Sequence, residues 1–281
     1  MRILPLPNAL ALMTALLAAP MQRAWGADAS RPSDIYSLSG RDYALVPVSL
    51  AIGIAGQLAY RGMTPADTGA LDKQKDLWAM DRWAAGYHSH LADLSSDLAI
   101  YPLVCLPGLV SAWELAQGRQ SWGGAIADAV VFTEAMSLSS GLDLWVRSLQ
   151  VHPRPLVYDR KVPASERLSP EASGSFYSGH SNAAFLSAVY FAYSWTLRNP
   201  GSDKQGWVWA GSLGAASIVA GLRIGAGKHY LSDVLVGAAA GSFFGFAFPW
   251  LHRHGGEGGG MPAVGVGMAG PRPYPMLAWT F

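Results

Sequence analysis

Three short runs set charged and polar residues at the edges of otherwise apolar sequence: "RSLQVHPRP" (147–155), "SFYSGHS" (175–181) and "GLRIGAGKHYLSDVLVG" (221–237). The first carries Arg147 and Arg154, the second Ser178, Gly179 and His180, the third Arg223, His229 and Asp233. Three guanidinium groups brought together repel one another unless an anion joins them. Phosphate suits the task, because it accepts several hydrogen bonds and its oxygens match the guanidinium fork. Ser178 and Gly179, at the start of a helix, add a hydroxyl and backbone N–H groups. Gly179 leaves the backbone open to close approach. His229 and Asp233 are four residues apart. That spacing puts imidazole and carboxylate on one helix face. The aspartate would then accept from one ring nitrogen and leave the other with a free lone pair, as a nucleophile or base. His180, on another helix, is placed to hand a proton to a departing oxygen. Each run alone is ordinary: a local hydrogen bond, a loop dipeptide and a helix N-cap. Their conjunction at helix ends is far more specific than any one of them.

The elements that must position these residues are apolar. Residues 44–60, 98–113, 180–197, 205–222 and 234–252 contain no Asp, Glu, Lys or Arg. Residues 122–142 are apolar except for Asp128 and Glu134. Each run is close to the ~20 residues that cross a bilayer. Gly, Ala and Ser are frequent in them, which lets helices approach closely, and Trp and Tyr lie near several ends, as interfacial anchors do. The expected fold is all-α: a six-helix bundle embedded in a membrane, with the site at one end. A soluble all-α domain built from very apolar helices is the alternative. Two crossings, 180–197 and 205–222, separate the second run from the third, so both return to the same end.

Composition agrees. Of 281 residues, 51% are hydrophobic and 14% charged, against roughly 25% charged in an ordinary soluble domain. The formal net charge of +1 gives no electrostatic case for a nucleic-acid partner. Cys105, the single cysteine, can form no internal disulfide and reads as a packed, inert thiol. Residues 1–29 have the form of an export signal: Arg2, the apolar run "NALALMTALLAAP", and Ala27-Asp28-Ala29 as an A-x-A cleavage site. Residues 30–254 then form a single helical domain and 255–281 a Gly/Pro-rich tail. Residues 61–97 read as an amphipathic helix lying along the membrane surface. His88-x-His90 and His252-x-His254 are weak metal motifs, each lacking a third ligand nearby in sequence.

The three runs resemble the signature of the type 2 phosphatidic acid phosphatase superfamily, which includes membrane lipid phosphatases, bacterial acid phosphatases and vanadium haloperoxidases. Its pattern, K-x6-RP, PSGH and SR-x5-H-x3-D, stands here as Arg147-x6-Arg154-Pro155, Tyr177-Ser178-Gly179-His180 and Leu222-Arg223-x5-His229-x3-Asp233. The resemblance implies that Arg147, Arg154, Ser178, Gly179 and Arg223 bind phosphate. It implies that His229 is the nucleophile oriented by Asp233 and that His180 protonates the leaving group, with no cofactor and no metal in the site. The substrate class it implies is a lipid phosphate or pyrophosphate. Broad-specificity acid phosphatase, haloperoxidase and non-catalytic binding of anionic lipid head groups are the competing readings. Arg147, Tyr177 and Leu222 depart from the pattern's lysine, proline and serine, which bears on rate and substrate choice. The family places the site on the outer, periplasmic face. A mature chain starting outside and crossing through 44–60, 98–113 and 122–142 would place it inside. The expectation is therefore that 98–113 or 122–142 is buried without spanning.

Overall fold

The computed structural model describes residues 32–40, 42–66 and 77–253, together with the backbone of 263–269 and 272–278. The export signal, residues 67–76 and His254 lie outside the described residues. Six long helices form the bundle: α1 Asp42–Arg61, α2 His90–Ala116, α3 Trp122–Ser148, α4 Gly179–Arg198, α5 Gln205–Gly225 and α6 Leu231–His252. In the tail, β1 Ala263–Ala269 pairs antiparallel with β2 Arg272–Ala278. The bundle itself is all-α, as the apolar runs imply.

Helix starts follow from local capping. The hydroxyls of Ser89, Ser121 and Ser178 accept from the backbone N–H groups of Ala92, Gly124 and Ser181, opening α2, α3 and α4. At the other end of α4, Asn199, Pro200 and Gly201 stop the helix, and Gly201 turns the chain at φ +74.

Glycine sets how closely the helices approach. On α6, Gly237, Gly241 and Gly245 lie four residues apart and face α4. A Cβ on Gly241 would sit 2.1 Å from the Asn182 carbonyl oxygen, and one on Gly245 would sit 2.4 Å from that of Leu186. On α1, a Cβ at Gly56 would sit 2.1 Å from the carbonyl oxygen of Gly141 on α3. These are backbone-to-backbone contacts, the packing mode of helices in membranes.

Five helices, α1, α2, α3, α5 and α6, are long and apolar enough to cross a membrane. Their apolar side chains point outward: Leu58, Leu98, Tyr101, Leu109, Trp113, Trp207, Ile218 and Phe243 are all exposed. An outer surface of this kind is stable in lipid and not in water, and the bundle is membrane-embedded. The sixth, α4, packs against α2, α3, α5 and α6. Its buried polar positions include Asn182 and Ser194: Ser139 Oγ donates to Asn182 Oδ1 at 2.7 Å, and Ser194 Oγ to the Tyr190 carbonyl at 2.6 Å.

Three expectations are corrected. Both 98–113 and 122–142 lie within full-length helices that qualify as spans. Asp128 and Glu134 are compatible with crossing because they face the bundle interior, where Asp128 pairs with Arg198. Cys105 is exposed, because in a lipid-facing helix the apolar side is the outer side. Among the described residues of 61–97 there is no surface helix: 82–84 is a single 3-10 turn, and α2 starts at His90.

If the glycine contacts set helix spacing, Gly241→Val will lower the thermal stability of detergent-purified protein by about 1–3 kcal/mol, the usual cost of overpacking. Gly211→Val, whose added Cβ meets nothing within 4 Å, serves as the control. Equal melting temperatures for the two variants would contradict the packing argument.

Candidate active site

The polar runs gather at one end of the bundle. Arg147 lies in the last turn of α3 and Arg223 in the last turn of α5, while Gly179 and His180 open α4. His229 and Asp233 flank the start of α6. Backbone bonds lock the connecting loops together. Gly86 N–H donates to the Pro155 carbonyl at 2.9 Å, Leu156 N–H to Gly227 at 3.0 Å, and Ser178 N–H to Asp233 at 3.1 Å. Gly227, at φ +69, packs so tightly that a Cβ would lie 1.7 Å from the Tyr87 carbonyl oxygen. Gly179 is equally confined: a Cβ there would meet Asp143 Oδ2 at 2.6 Å and Arg147 Nη1 at 3.8 Å. The space beside Gly179 therefore faces the Asp143 carboxylate first, with the Arg147 guanidinium next to it.

The three arginines are all buried, each under different conditions. Arg147 donates from Nη2 to the Tyr60 hydroxyl at 3.1 Å, lies 4.7 Å from that ring's centroid, and has Asp143 Oδ2 3.9 Å away. Arg223 donates from Nη1 to Asp93 Oδ1 at 2.8 Å, Ser96 Oγ at 3.0 Å and Asp97 Oδ1 at 3.2 Å. Arg154 sits in the loop after α3, where its backbone N–H donates to the Ala172 carbonyl at 2.8 Å. Among the described residues its guanidinium makes no hydrogen bond or ion pair, and its Nε is buried without a partner. Burial, reinforced by the charge of Arg147 and then of Arg223, pulls the Arg154 guanidinium down to about 10. Such a cation is destabilised until an anion joins it.

The histidines depart from the expected geometry in detail. His229 is not on the helix with Asp233: α6 begins at Leu231, and His229 precedes its N-cap, Tyr230. The His229 Nδ1–H donates to the Ser175 carbonyl at 2.8 Å, and Asp233 Oδ2 is 3.6 Å from the same nitrogen, beyond hydrogen-bond range. The Asp233 carboxylate is held instead by the helix start. Its Oδ2 accepts from Tyr230 N–H at 2.8 Å and from Ser175 Oγ at 2.5 Å. The unsatisfied amides of a first turn attract a carboxylate strongly. Ser175 thus links the two residues, bonding His229 through its carbonyl and Asp233 through its hydroxyl. The bond at Nδ1 leaves the lone pair on Nε2 of the neutral ring. Burial holds the His229 imidazole well below its usual range, aided by the positive charge of Arg223, Arg147 and Arg154 and by His180. His180 bonds through Nε2 to Asp97 Oδ1 at 2.9 Å.

All eight residues singled out in the sequence thus lie at this end of the bundle. Sequence reasoning missed their partners. Asp93 and Asp97 are on the first turns of α2, and Ser175 and His152 are in the loop before α4, with His152 Nε2 3.4 Å from Asp233 Oδ1. Asp143, one turn before Arg147 in an apolar helix, carried a usable signal; Ser175 carried none. Lys228 bridges Asp93 Oδ2 at 3.2 Å and Glu166 Oε1 at 3.3 Å. Glu166 also comes within 3.7 Å of His88 Nε2, the third metal-ligating group that the His88-x-His90 motif lacked in sequence. A cavity of about 530 Å³ exists elsewhere, between α2, α3 and α4, lined by Leu109, Phe132 and Phe191 with Asp128 and Arg198; none of the eight lines it.

Residues 129–255 match the model of the PAP2 superfamily. Among solved structures, the crystal structure of the first transmembrane PAP2-type phosphatidylglycerolphosphate phosphatase, from Bacillus subtilis, is similar. It is 20% identical, covers 75% of this chain and 94% of its own, and has a TM-score of 0.40. No curated protein matches the chain. The matched stretch, 129–255, holds all eight residues read from the sequence.

Proposed function

We propose that the protein is a phosphatase that hydrolyses a phosphate monoester or pyrophosphate on a lipid, through a phosphohistidine, at the periplasmic face of a membrane. The observation that carries this reading is Arg154: among the described residues, a buried guanidinium with no carboxylate on it, set close to the charges of Arg147 and Arg223 and to a buried neutral imidazole. A tetra-oxo anion supplies what that arrangement lacks.

In this reaction the His229 Nε2 lone pair forms a bond to phosphorus, and the bond from phosphorus to the leaving oxygen breaks. His180 gives that oxygen its proton. Water then attacks the phosphohistidine, releasing inorganic phosphate and restoring the imidazole. The three arginines carry the charge that grows on the equatorial oxygens. Ser175 and Asp233 are positioning residues, the first fixing the His229 ring and the second fixing Ser175. Asp97 bonds to both His180 and Arg223, so an arriving phosphate must compete with it. Support for a lipid substrate comes from Trp78, Trp83 and Tyr87, exposed on the chain leading into α2. The Trp78 ring lies 6.3 Å from that of His152, which places an interfacial aromatic beside the site.

Three passes, α1 to α3, precede Arg147, so the site and residues 32–40 lie on opposite faces; a periplasm-facing site puts 32–40 inside and does not go with cleavage of 1–29 outside. A periplasm-facing site places Lys161, in the loop after Arg154, outside and Asp203, between α4 and α5, inside.

Replacing His229 with Ala will abolish phosphate release from lipid phosphates in detergent while leaving the size-exclusion profile unchanged; substantial residual turnover would remove it as nucleophile. The acid limb of kcat/KM reports the free enzyme. Because the His229 imidazole is held well below 6.5, it is neutral at pH 6.5 and charges only at a lower pH, so that limb will lie clearly below 6.5. A panel of substrates decides the class: equal rates on small soluble esters and on lipid phosphates would favour a broad-specificity acid phosphatase.

Asp97→Asn will tighten inhibition by inorganic phosphate about two- to fivefold, the scale of an exposed ion pair worth up to about 1 kcal/mol. Unchanged or weaker inhibition would show that Asp97 does not compete for the anion. In intact cells, with Cys105→Ser as background, Lys161→Cys will react with an impermeant maleimide and Asp203→Cys will not. The inverse pattern would place the site on the cytoplasmic face.

A further inference from the structure

At the opposite end of the bundle, three residues distant in sequence meet in a buried cluster. Asp42 opens α1, Glu134 lies midway along α3 and His252 closes α6, and each is at most 2% exposed. His252 Nε2 lies 2.7 Å from Asp42 Oδ1 and 3.4 Å from Glu134 Oε2. From these contacts we propose that Asp42, Glu134 and His252 form a divalent metal site of the zinc class, separate from the phosphate site.

The distances suit a shared ion. Zinc binds imidazole nitrogen and carboxylate oxygen at about 2.0–2.2 Å. Two ligands at that radius stand about 2.9 Å apart along an octahedral edge and about 3.4 Å apart along a tetrahedral one. The 3.4 Å separation matches the tetrahedral edge, the 2.7 Å one is a hydrogen bond that a bound ion would replace, and one ligand atom from each residue lies within 4.8 Å of the others. The outer atoms are held as a metal ligand requires. The His252 Nδ1–H donates to the Phe248 carbonyl at 2.8 Å, which turns Nε2 toward the carboxylates. Asp42 Oδ2 accepts from the Ser39 N–H, which leaves Oδ1 facing the imidazole. This orientation of ligands by an outer hydrogen bond recurs in protein metal sites. One His and two carboxylates form a donor set that zinc accepts.

The site would clasp the start of α1 and the end of α6 to α3, elements brought together only by folding. Its contribution would therefore be to stability, and its test does not depend on phosphatase activity. Protein purified in detergent is stripped with chelator, loaded with Zn2+, passed through a desalting column and measured for metal content. Wild type will keep close to one zinc per chain and melt at a higher temperature with zinc than without. Glu134→Gln and His252→Gln, each shown to be helical and monodisperse, will lose both the metal and the thermal shift. A His88→Ala/His90→Ala double variant will keep them. No zinc in wild type would mean a protonated imidazole serves the carboxylates and would overturn the proposal. Zinc retained by Glu134→Gln and His252→Gln, or lost from the double variant, would move the site to His88, His90 and Glu166 and overturn it equally.

Discussion

Everything at the active end follows from holding three guanidinium charges in a protein interior that has little water to screen them. Burying a charge costs several kcal/mol unless something opposes it. Two of the three arginines are answered from within the chain. Arg223 has Asp93 and Asp97, and Arg147 has the Tyr60 hydroxyl and ring with Asp143 at a distance. Arg154 receives none of this, and its guanidinium is strained downward as a result. Burial, aided by the same charges, keeps the His229 imidazole neutral, the form whose lone pair would attack phosphorus in the proposed reaction. One electrostatic arrangement therefore does two things at once: it attracts the anion and readies the group opposite it.

The bundle's architecture is what makes that concentration of charge possible. Arginines on α3 and α5 converge only because both helices end on the same face, and α4 and α6 begin there. The close backbone contacts of Gly237, Gly241 and Gly245 against α4 bring the first turn of α6 beside Ser178, whose N–H bonds to the Asp233 carbonyl. A bulkier seam would push the two helix starts apart and open the site. Packing deep in the membrane and geometry at the surface are thus linked through a few missing side chains.

Much of this was legible in the sequence. Apolar runs marked the six helices, and the eight polar residues read from the sequence lie together at one end of the bundle, because charge in such a chain is rare enough to be noticed. Local order was less legible. Four-residue spacing put His229 and Asp233 on one helix, but α6 starts between them, and the amides of its first turn claim the carboxylate. Ser175, the residue linking the two, is one small polar residue among many, and its role rests on a carbonyl that any residue possesses. Asp93 and Asp97 were visible as acids, but nothing local connects them to Arg223, more than a hundred residues away. The inside-out surface also misled: Cys105 reads as packed because it is surrounded by apolar residues, yet those residues face lipid.

The two ends of the molecule treat buried charge differently, and the difference separates structure from function. Away from the site, Asp128 is matched by Arg198 and supported by Gln120, whose Nε2 donates to Asp128 Oδ2 at 2.8 Å. Asp42 and Glu134 are gathered around His252. Each charge there faces an opposite charge, a donor or a group able to bind a cation. At the active end the ledger is left open at Arg154, although Asp143, Glu171 and Asp97 are all close enough in the fold to influence neighbouring cations. Among the described residues, carboxylates stand against Arg147, Arg198 and Arg223 but not against Arg154, which in the proposed reading leaves it for a partner from solution. That partner must be anionic, must fit beside a neutral imidazole, and must tolerate two further guanidinium groups at its edges; a phosphoryl group meets all three conditions.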